Sequence, residues 1–450
     1  MAVIKSPQQM NIRRSLILSL SMFLGAAWAE TTVLQNFTLI DGTGAQPLAK
    51  ASMVIVDGRI KWVGPAARLR LPAGGQNINL AGKYVMPGII NLHGHVGNTI
   101  DLAQDPANFT RGNVESQLRS YANYGVTTVC SLGSEQPLIM EMRAEQRLSN
   151  RPPMTRIYTA LRGFTGVGGY PTTAPGMKGV PYEVSSVADV QKDVRQLAGE
   201  KVDIVKIWVD DHLGKDVKIP FDLSKAIIEN AHKYHLKVAA HVFYLADAKA
   251  LVDAGLTGLA HSVRDKPVDD ELIQMMKKRR AWQMAATLTR EASTFVFATP
   301  SPMLNDPFFA PSVSAETLRT LKDPAFQKQV AAEPDAAHGR EWLEMAKKNL
   351  KTLFDAGVKV GFGTDTGPPR RIQGYFEHWE MELMAEAGLT PQQIITIATK
   401  NSAEFLGAKD LGVLKKGKWA DLIVLSANPL ENIKNTRTIE SVWIAGSKVK

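Results

Sequence analysis

Cysteine is almost absent: Cys130 is the one cysteine in 450 residues. A single thiol forms no internal disulfide and builds no cysteine-based zinc site. A disulfide-stapled scaffold is therefore excluded, and any metal must be held by histidine, carboxylate or lysine chemistry. Blocks of like charge are also missing. The formal charge is +9, but Lys and Arg are scattered among the acids, which disfavours nucleic acid as a partner. With 44% hydrophobic and 22% charged residues, the composition is that of an ordinary globular protein and excludes disordered, collagenous and coiled-coil chains.

Long apolar runs are scarce as well. The main one, Ser15 to Leu24, follows Arg13 and Arg14 and leads to Ala27-Trp28-Ala29 before Glu30. A basic start, a short apolar middle and a small-residue end read as a signal peptide over residues 1–29, with the mature chain starting at Glu30. The run is too short for a permanent bilayer anchor, so no membrane span is expected after cleavage, and the protein is expected to be periplasmic or secreted. Loss of Lys5, Arg13 and Arg14, with no acid among residues 1–29, leaves a charge of +6.

Residues 31 to 86 alternate short β-like runs with turns such as Asp41-Gly-Thr-Gly44 and Asp57-Gly58, the pattern of a small β domain. From 86 to 408 the pattern becomes strand-like runs separated by amphipathic helical stretches. Eight such runs occur: Val85 to His93, Val126 to Leu132, Thr155 to Ala160, Val202 to Val209, Lys237 to Val242, Gly258 to His261, Trp282 to Leu288 and Val358 to Gly363. Repeated βα units imply a parallel sheet, and eight of them suit a (β/α)8 TIM barrel. The tail returns to β character at Ala420 to Leu425 and Ser441 to Ala445. The expected architecture is α/β: a barrel over 86–408 inserted into a small discontinuous β-sandwich domain made of 30–85 and 409–450.

Polar residues collect where these runs end. His93 and His95 end the first, Lys206 lies in the fourth, His241 ends the fifth, His261 the sixth, and Asp365 follows the eighth. Residues i and i+2 of a strand share a face, which aims His93 and His95 together into the barrel mouth. Val205, Ile207 and Val209 would face helices, leaving Lys206 inside. Gly361 and Gly363 share a face with Asp365 and would leave space beneath its carboxylate for a metal centre. A buried lysine is driven toward its neutral form. Neutral lysine reacts with carbon dioxide to give a carbamate, a two-oxygen anion able to bridge two divalent cations held by four imidazoles and a carboxylate. Two such cations would activate a shared hydroxide and polarise a carbonyl. Taken singly, His-x-His, Lys206 and Asp365 each have structural readings; jointly they fall at the barrel face that carries active sites. The remaining histidines, His212, His232, His235, His338 and His378, are expected to be solvated or capping.

The segments Tyr84 to His95, Gly125 to Val129, Val205-Lys-Ile207, Gly361 to Asp365, Ala398 to Ala403 and Leu414 to Leu425 give the chain a resemblance to the metal-dependent amidohydrolase superfamily. The likeness is to the imidazolonepropionase-like subgroup, with the addition of a barrel lysine. It covers nearly all of the mature chain. The resemblance implies a metal shell of His93, His95, carbamylated Lys206, His241, His261 and Asp365, with Asp365 also moving the proton and zinc as the expected metal. Lys206 aligns the chain with binuclear relatives that cleave amides: prolidase-like dipeptidases, aminoacylases and ochratoxin-type amide hydrolases. One departure is Ala260 before His261, where many relatives carry Glu, so any role of that carboxylate is unfilled.

The implied activity is hydrolysis of amide bonds in dipeptides, N-acyl amino acids or related amides by a metal-bridging hydroxide. The alternatives are a cyclic-amide hydrolase or lactonase on the same site, or a non-catalytic barrel-based binding protein. The expected partner is a small-molecule amide or peptide, and homo-oligomerisation is left open. Candidate substrate contacts are Arg162 and Tyr170, from a Gly-rich loop read as a lid, and Arg264 and Arg290 just past strand ends. An arginine fork matches a carboxylate, although Asp265 or Glu291 could instead pair these side chains locally. An insertion after Arg290 carries Phe295, Phe297, Phe308 and Phe309, and reads either as a roof over the mouth or as a satellite cluster.

Overall fold

The computed structural model describes residues 1–3, 30–149 and 152–450. The apolar run and cleavage motif of the expected signal peptide lie outside these residues. Among the described residues no helix is long and apolar enough to cross a membrane.

The molecule is mixed α/β. Strands from both ends of the chain join one eight-stranded sheet. In it Leu422–Leu425 runs antiparallel to Tyr84–Pro87, which in turn lies parallel to Thr31–Leu39. The two stacked sheets expected of a sandwich are not separate here, because hydrogen bonding links all eight strands. The alternation of apolar residues along the strand Thr31–Leu39 and its neighbours buries Leu34, Phe37, Met53, Ile55, Leu422 and Trp443 in one cluster.

The middle of the chain builds parallel sheet. Ile89–Gly94, Val126–Ser131 and Arg156–Thr159 form one set. Phe164–Gly166, Val205–Val209, Val238–Val242, Gly258–Leu259 and Trp282–Gln283 lie in a second. Further backbone hydrogen bonds run between the sets and to the segment 358–363, among them Asp203 N to Thr159 O (2.9 Å), Gly361 N to Gln283 O (2.9 Å) and Leu92 N to Phe362 O (2.8 Å). Each strand presents one face to helices, where Val205, Ile207, Val209, Val238, Ala240 and Val242 enter the large core. The opposite faces place Ile90, Leu92, Cys130, Ile204, Ala239 and Met284 in a cluster with Phe405.

His93 and His95 are not carried by strict alternation, and one expectation about glycine needs correction. Ile90 and Leu92 already occupy that second cluster, so strict alternation would turn His93 away from it. Pairing with the next strand is irregular between Asn91 and Gly94, and the phase changes there. Gly361 and Gly363, in turn, do not leave a void. A Cβ on Gly361 would sit 2.5 Å from Leu92 Cδ1, and one on Gly363 2.9 Å from the backbone N of His93. Glycine here lets neighbouring strands close up.

The insertion after Arg290 forms the satellite cluster that was one of its two readings. Phe297 and Phe309 are fully buried with Tyr124, Leu321, Tyr375 and Phe376 in a separate core. That core supports a helix, Pro324–Ala332, which is started by Asp323 accepting from Ala325 N and by Pro324 in the first turn. Phe326, Gln329 and Val330 of this helix face the cavity described next. The named phenylalanines anchor the segment, and a different face of it forms the roof.

Candidate metal centre

A cavity of about 700 Å³ opens at the ends of the parallel strands, and His93, His95, His241, His261, Asp365 and Tyr170 are among its walls. His93 Nε2 and His95 Nε2 lie 3.4 and 3.0 Å from Asp365 Oδ1. Ligand atoms of these three residues fall within 4.8 Å of one another, which makes them a possible metal site. The rings of His93 and His261 are 4.8 Å apart and those of His241 and His261 4.2 Å, so the four imidazoles adjoin. Lys206 is fully buried, with Nζ 3.5 Å from His93 Nε2.

Neighbours decide which ring nitrogen carries hydrogen. His93 Nδ1 is 2.9 Å from the carbonyl of Ala260, which can only accept. His261 Nδ1 is 2.8 Å from Thr287 Oγ1, whose own hydrogen goes to Ala286 O. His95 Nδ1 meets Ser134 Oγ at 2.8 Å, and that hydroxyl donates to buried Glu135. In all three the Nε2 lone pair is left for the cavity, the arrangement that metal-ligating histidines need. His241 is turned the other way: its Nε2 lies 2.7 Å from Asp210 Oδ2, leaving Nδ1.

The electrostatics follow from burial. It lowers the pKa of His93 and His261 well below the ordinary histidine value and that of His241 to about 3, even though Asp210 pulls the last one upward. The rings are therefore neutral and able to ligate. Burial also brings Lys206 down to about 7, within reach of its reactive neutral form. Burial would push Asp365 up, but Arg371 and the two imidazoles overcome it and hold the carboxyl well below its usual range. Arg371 Nη1 donates to Asp365 Oδ2 at 2.5 Å. Asp365 has φ +59°, a left-handed conformation that Asp tolerates better than most residues.

The substrate candidates divide. Tyr170 lines the cavity, with its ring 5.2 Å from that of His241 and 4.2 Å from that of His212. The three arginines stand outside its walls. Arg162 donates to the carbonyls of Gly179, Val180 and Pro181 and lies over the Tyr182 ring. Arg290 Nη1 donates to both oxygens of buried Glu291, and Arg264 Nε lies 3.1 Å from the same carboxylate. Arg264 Nη2 and Arg290 Nε have no hydrogen-bond partner among the described residues, but neither residue is among those that line the cavity. Arg370 and Arg371 line the cavity instead, and sequence reasoning missed them because they lie past the last strand in a loop without periodicity. Asp210, four residues after Lys206, was also missed; its position just past the strand end was the available signal. Among the other histidines, His378 is buried, between Thr436 Oγ1 (2.9 Å) and Tyr124 O (2.8 Å), rather than solvated.

Comparison with known proteins accords with this geometry. Ochratoxinase of Aspergillus niger is 26% identical over 465 residues, covering 94% of this chain and 87% of that protein. Imidazolonepropionase of Cutibacterium acnes is 24% identical over 390 residues, covering 84% and 85%. Among solved structures, a Xaa-Pro dipeptidase with bound methionine superposes with a TM-score of 0.73 at 21% identity, covering 93% of this chain and 99% of that one. The structure of A. niger ochratoxinase does so with a TM-score of 0.72 at 21% identity, covering 94% and 96%. These likenesses imply the TIM-barrel fold. The model of the amidohydrolase family matches residues 84–449, and with the histidine and aspartate cluster at its strand ends the chain is an enzyme that belongs to the amidohydrolase family.

Proposed function

We propose that the chain is a binuclear metal-dependent hydrolase of amide bonds, acting on dipeptides, N-acyl amino acids or related amides. The observation that carries this reading is Lys206, buried against His93 within a ring of four imidazoles and Asp365. A lysine there has little structural use as a cation, whereas its carbamate would complete a second ligand set. The residues fit the group: three Nε2 atoms and the His241 Nδ1 are left without hydrogen, and Asp365 Oδ1 is turned to the imidazoles. His93, His95 and Asp365 would hold one ion, His241 and His261 the other, and the Lys206 carbamate would offer an oxygen to each.

When bound, two divalent ions, zinc being expected, lower the pKa of water and polarise the scissile carbonyl. The protein supplies the rest. Asp365 Oδ1 takes the proton of the attacking water and returns it to the leaving nitrogen, which departs as an amine while the acyl carbon becomes a carboxylic acid. Arg371, on the other oxygen, keeps Asp365 ionised and aimed. Tyr170 and the Pro324–Ala332 helix cover the cavity and limit water. The same reading has the eight strand runs closing into a barrel over 86–408 within a β domain of 30–85 and 409–450. Residues 1–29 would export the chain to the periplasm or beyond.

Metal analysis and turnover test this together. Wild-type protein is expected to hold two equivalents of zinc and to hydrolyse members of a dipeptide and N-acyl amino acid panel, and Lys206→Ala to retain at most one equivalent tightly. A single equivalent in active wild-type protein would remove the binuclear reading. No turnover of any panel member would remove amide hydrolysis.

A further inference from the structure

We infer that Arg370 is the specificity-determining cation of the cavity, reading a free carboxylate on the substrate's leaving amine after releasing Glu333. The inference deepens the amide-hydrolase reading and rests on it. Among the described residues, the cationic side chains lining the cavity are Arg370 and Arg371. Arg371 is committed to Asp365. Arg370 is only half committed. Its Nη2 donates to Glu333 Oε2 at 2.7 Å, while its Nη1 is buried without a hydrogen-bond partner. A buried donor without an acceptor is costly to keep, and a fork with one arm unengaged suits a planar carboxylate.

The backbone anchors this residue against the loop that carries His95. Arg371 N donates to Pro368 O and Gly367 N to Arg371 O, closing a tight turn directly after Asp365. Gly367 has φ +119°, and a Cβ there would lie 2.1 Å from the carbonyl oxygen of His95, so the turn rests on the metal-site loop. Pro368 and Pro369 stiffen it. The partner is placed by another proline: Pro334 forces Glu333 into an extended conformation (φ −67°, ψ 137°), ending the Pro324–Ala332 helix at the cavity wall. The Glu333 side chain is 43% exposed, and a pair so open to solvent is weak enough to exchange. Leu102, Met177, Trp208, Phe326 and Val330 offer apolar surface in the same cavity wall. The substrate class that fits is an N-acyl amino acid with an apolar side chain and a free carboxylate.

The test compares N-benzoyl-L-leucine with N-isopentylbenzamide, which has the same leaving amine without its carboxylate. Wild-type enzyme is expected to favour the acid in kcat/KM by roughly 30-fold or more, the range for losing one partner of a buried charged contact. Arg370→Met should bring the ratio to within about threefold, mostly through KM, and Arg370→Lys should fall between, since a point charge lacks the fork. Glu333→Gln should lower KM for the acid alone. Calorimetry with the products, L-leucine and isopentylamine, reads the same preference without turnover. If neither amide is hydrolysed, amide hydrolysis falls while the calorimetry still decides on Arg370. Equal use of acid and amide by wild type, or an acid preference that survives in Arg370→Met, overturns the assignment. Should Arg370→Met fail to fold, Glu333→Gln decides: tighter L-leucine binding supports the exchange and unchanged binding overturns it.

Discussion

Asp365 shows how one residue's environment sets its chemistry. One oxygen faces two imidazoles and the other accepts from Arg371, so the carboxylate stays ionised in a buried site that would otherwise protonate it. Asp365→Asn keeps the size and a ligating oxygen but cannot accept a proton. Turnover is expected to fall by about 10²- to 10⁴-fold, with the circular-dichroism spectrum unchanged and most metal retained. A variant within threefold of wild-type kcat would take Asp365 out of the proton path. Position and residue type made His93, His95, Lys206 and Asp365 conspicuous in the sequence. Arg371 and Asp210 were not conspicuous, because a charged residue in a loop looks the same whether it is solvated or aimed at a buried partner.

At the scale of elements, the helix Tyr375–Glu386 is tied to the rest of the molecule by a buried histidine. His378 bridges Thr436 and Tyr124, and burial lowers its pKa to about 3. The unfolded chain takes up a proton near pH 6.5 and the folded one does not. Stability should therefore be unaffected by this group above about pH 6.5 and decline below it by up to ~1.4 kcal/mol per pH unit, reaching about 3 kcal/mol by pH 4. Urea titrations of wild type and His378→Gln between pH 7 and pH 4 check this: the mutant should lose part of the acid slope. Equal slopes would show that His378 is not the group responsible. In the sequence a lone histidine reads as solvated or capping until a neighbouring segment covers it.

Across the whole molecule, the terminal sheet and the parallel strands are joined by a buried forked ion pair. Arg156 Nε and Nη2 donate to Asp421 Oδ2 (2.7 Å) and Oδ1 (3.1 Å), and Asp421 Oδ1 also accepts from Ala445 N. Asp421→Ala strands the guanidinium and is expected to cost about 3 to 5 kcal/mol, the usual result of removing one partner of a buried pair. Differential scanning calorimetry should show this as a lower Tm; an unchanged Tm would mean that the pair does not hold the two parts together. The two partners lie 265 residues apart, and nothing local marks them as a pair. Chain order and apolar alternation are local properties, and by themselves they determined the α/β class, seven of the eight expected strand runs, the return of the tail to β structure and the candidate ligands at strand ends, whereas Val358 to Gly363 forms only an isolated bridge to Gln283. Proximity decided the rest. The phase change at His93, the tautomers set by Ala260, Ser134 and Thr287, the engagement of Arg264 and Arg290 by Glu291, and the roof helix with Glu333 facing Arg370 all depend on which distant groups share a low-dielectric space. That is a property of the folded chain, because a hydrogen bond or ion pair acts over a few ångströms of space whatever the distance along the sequence.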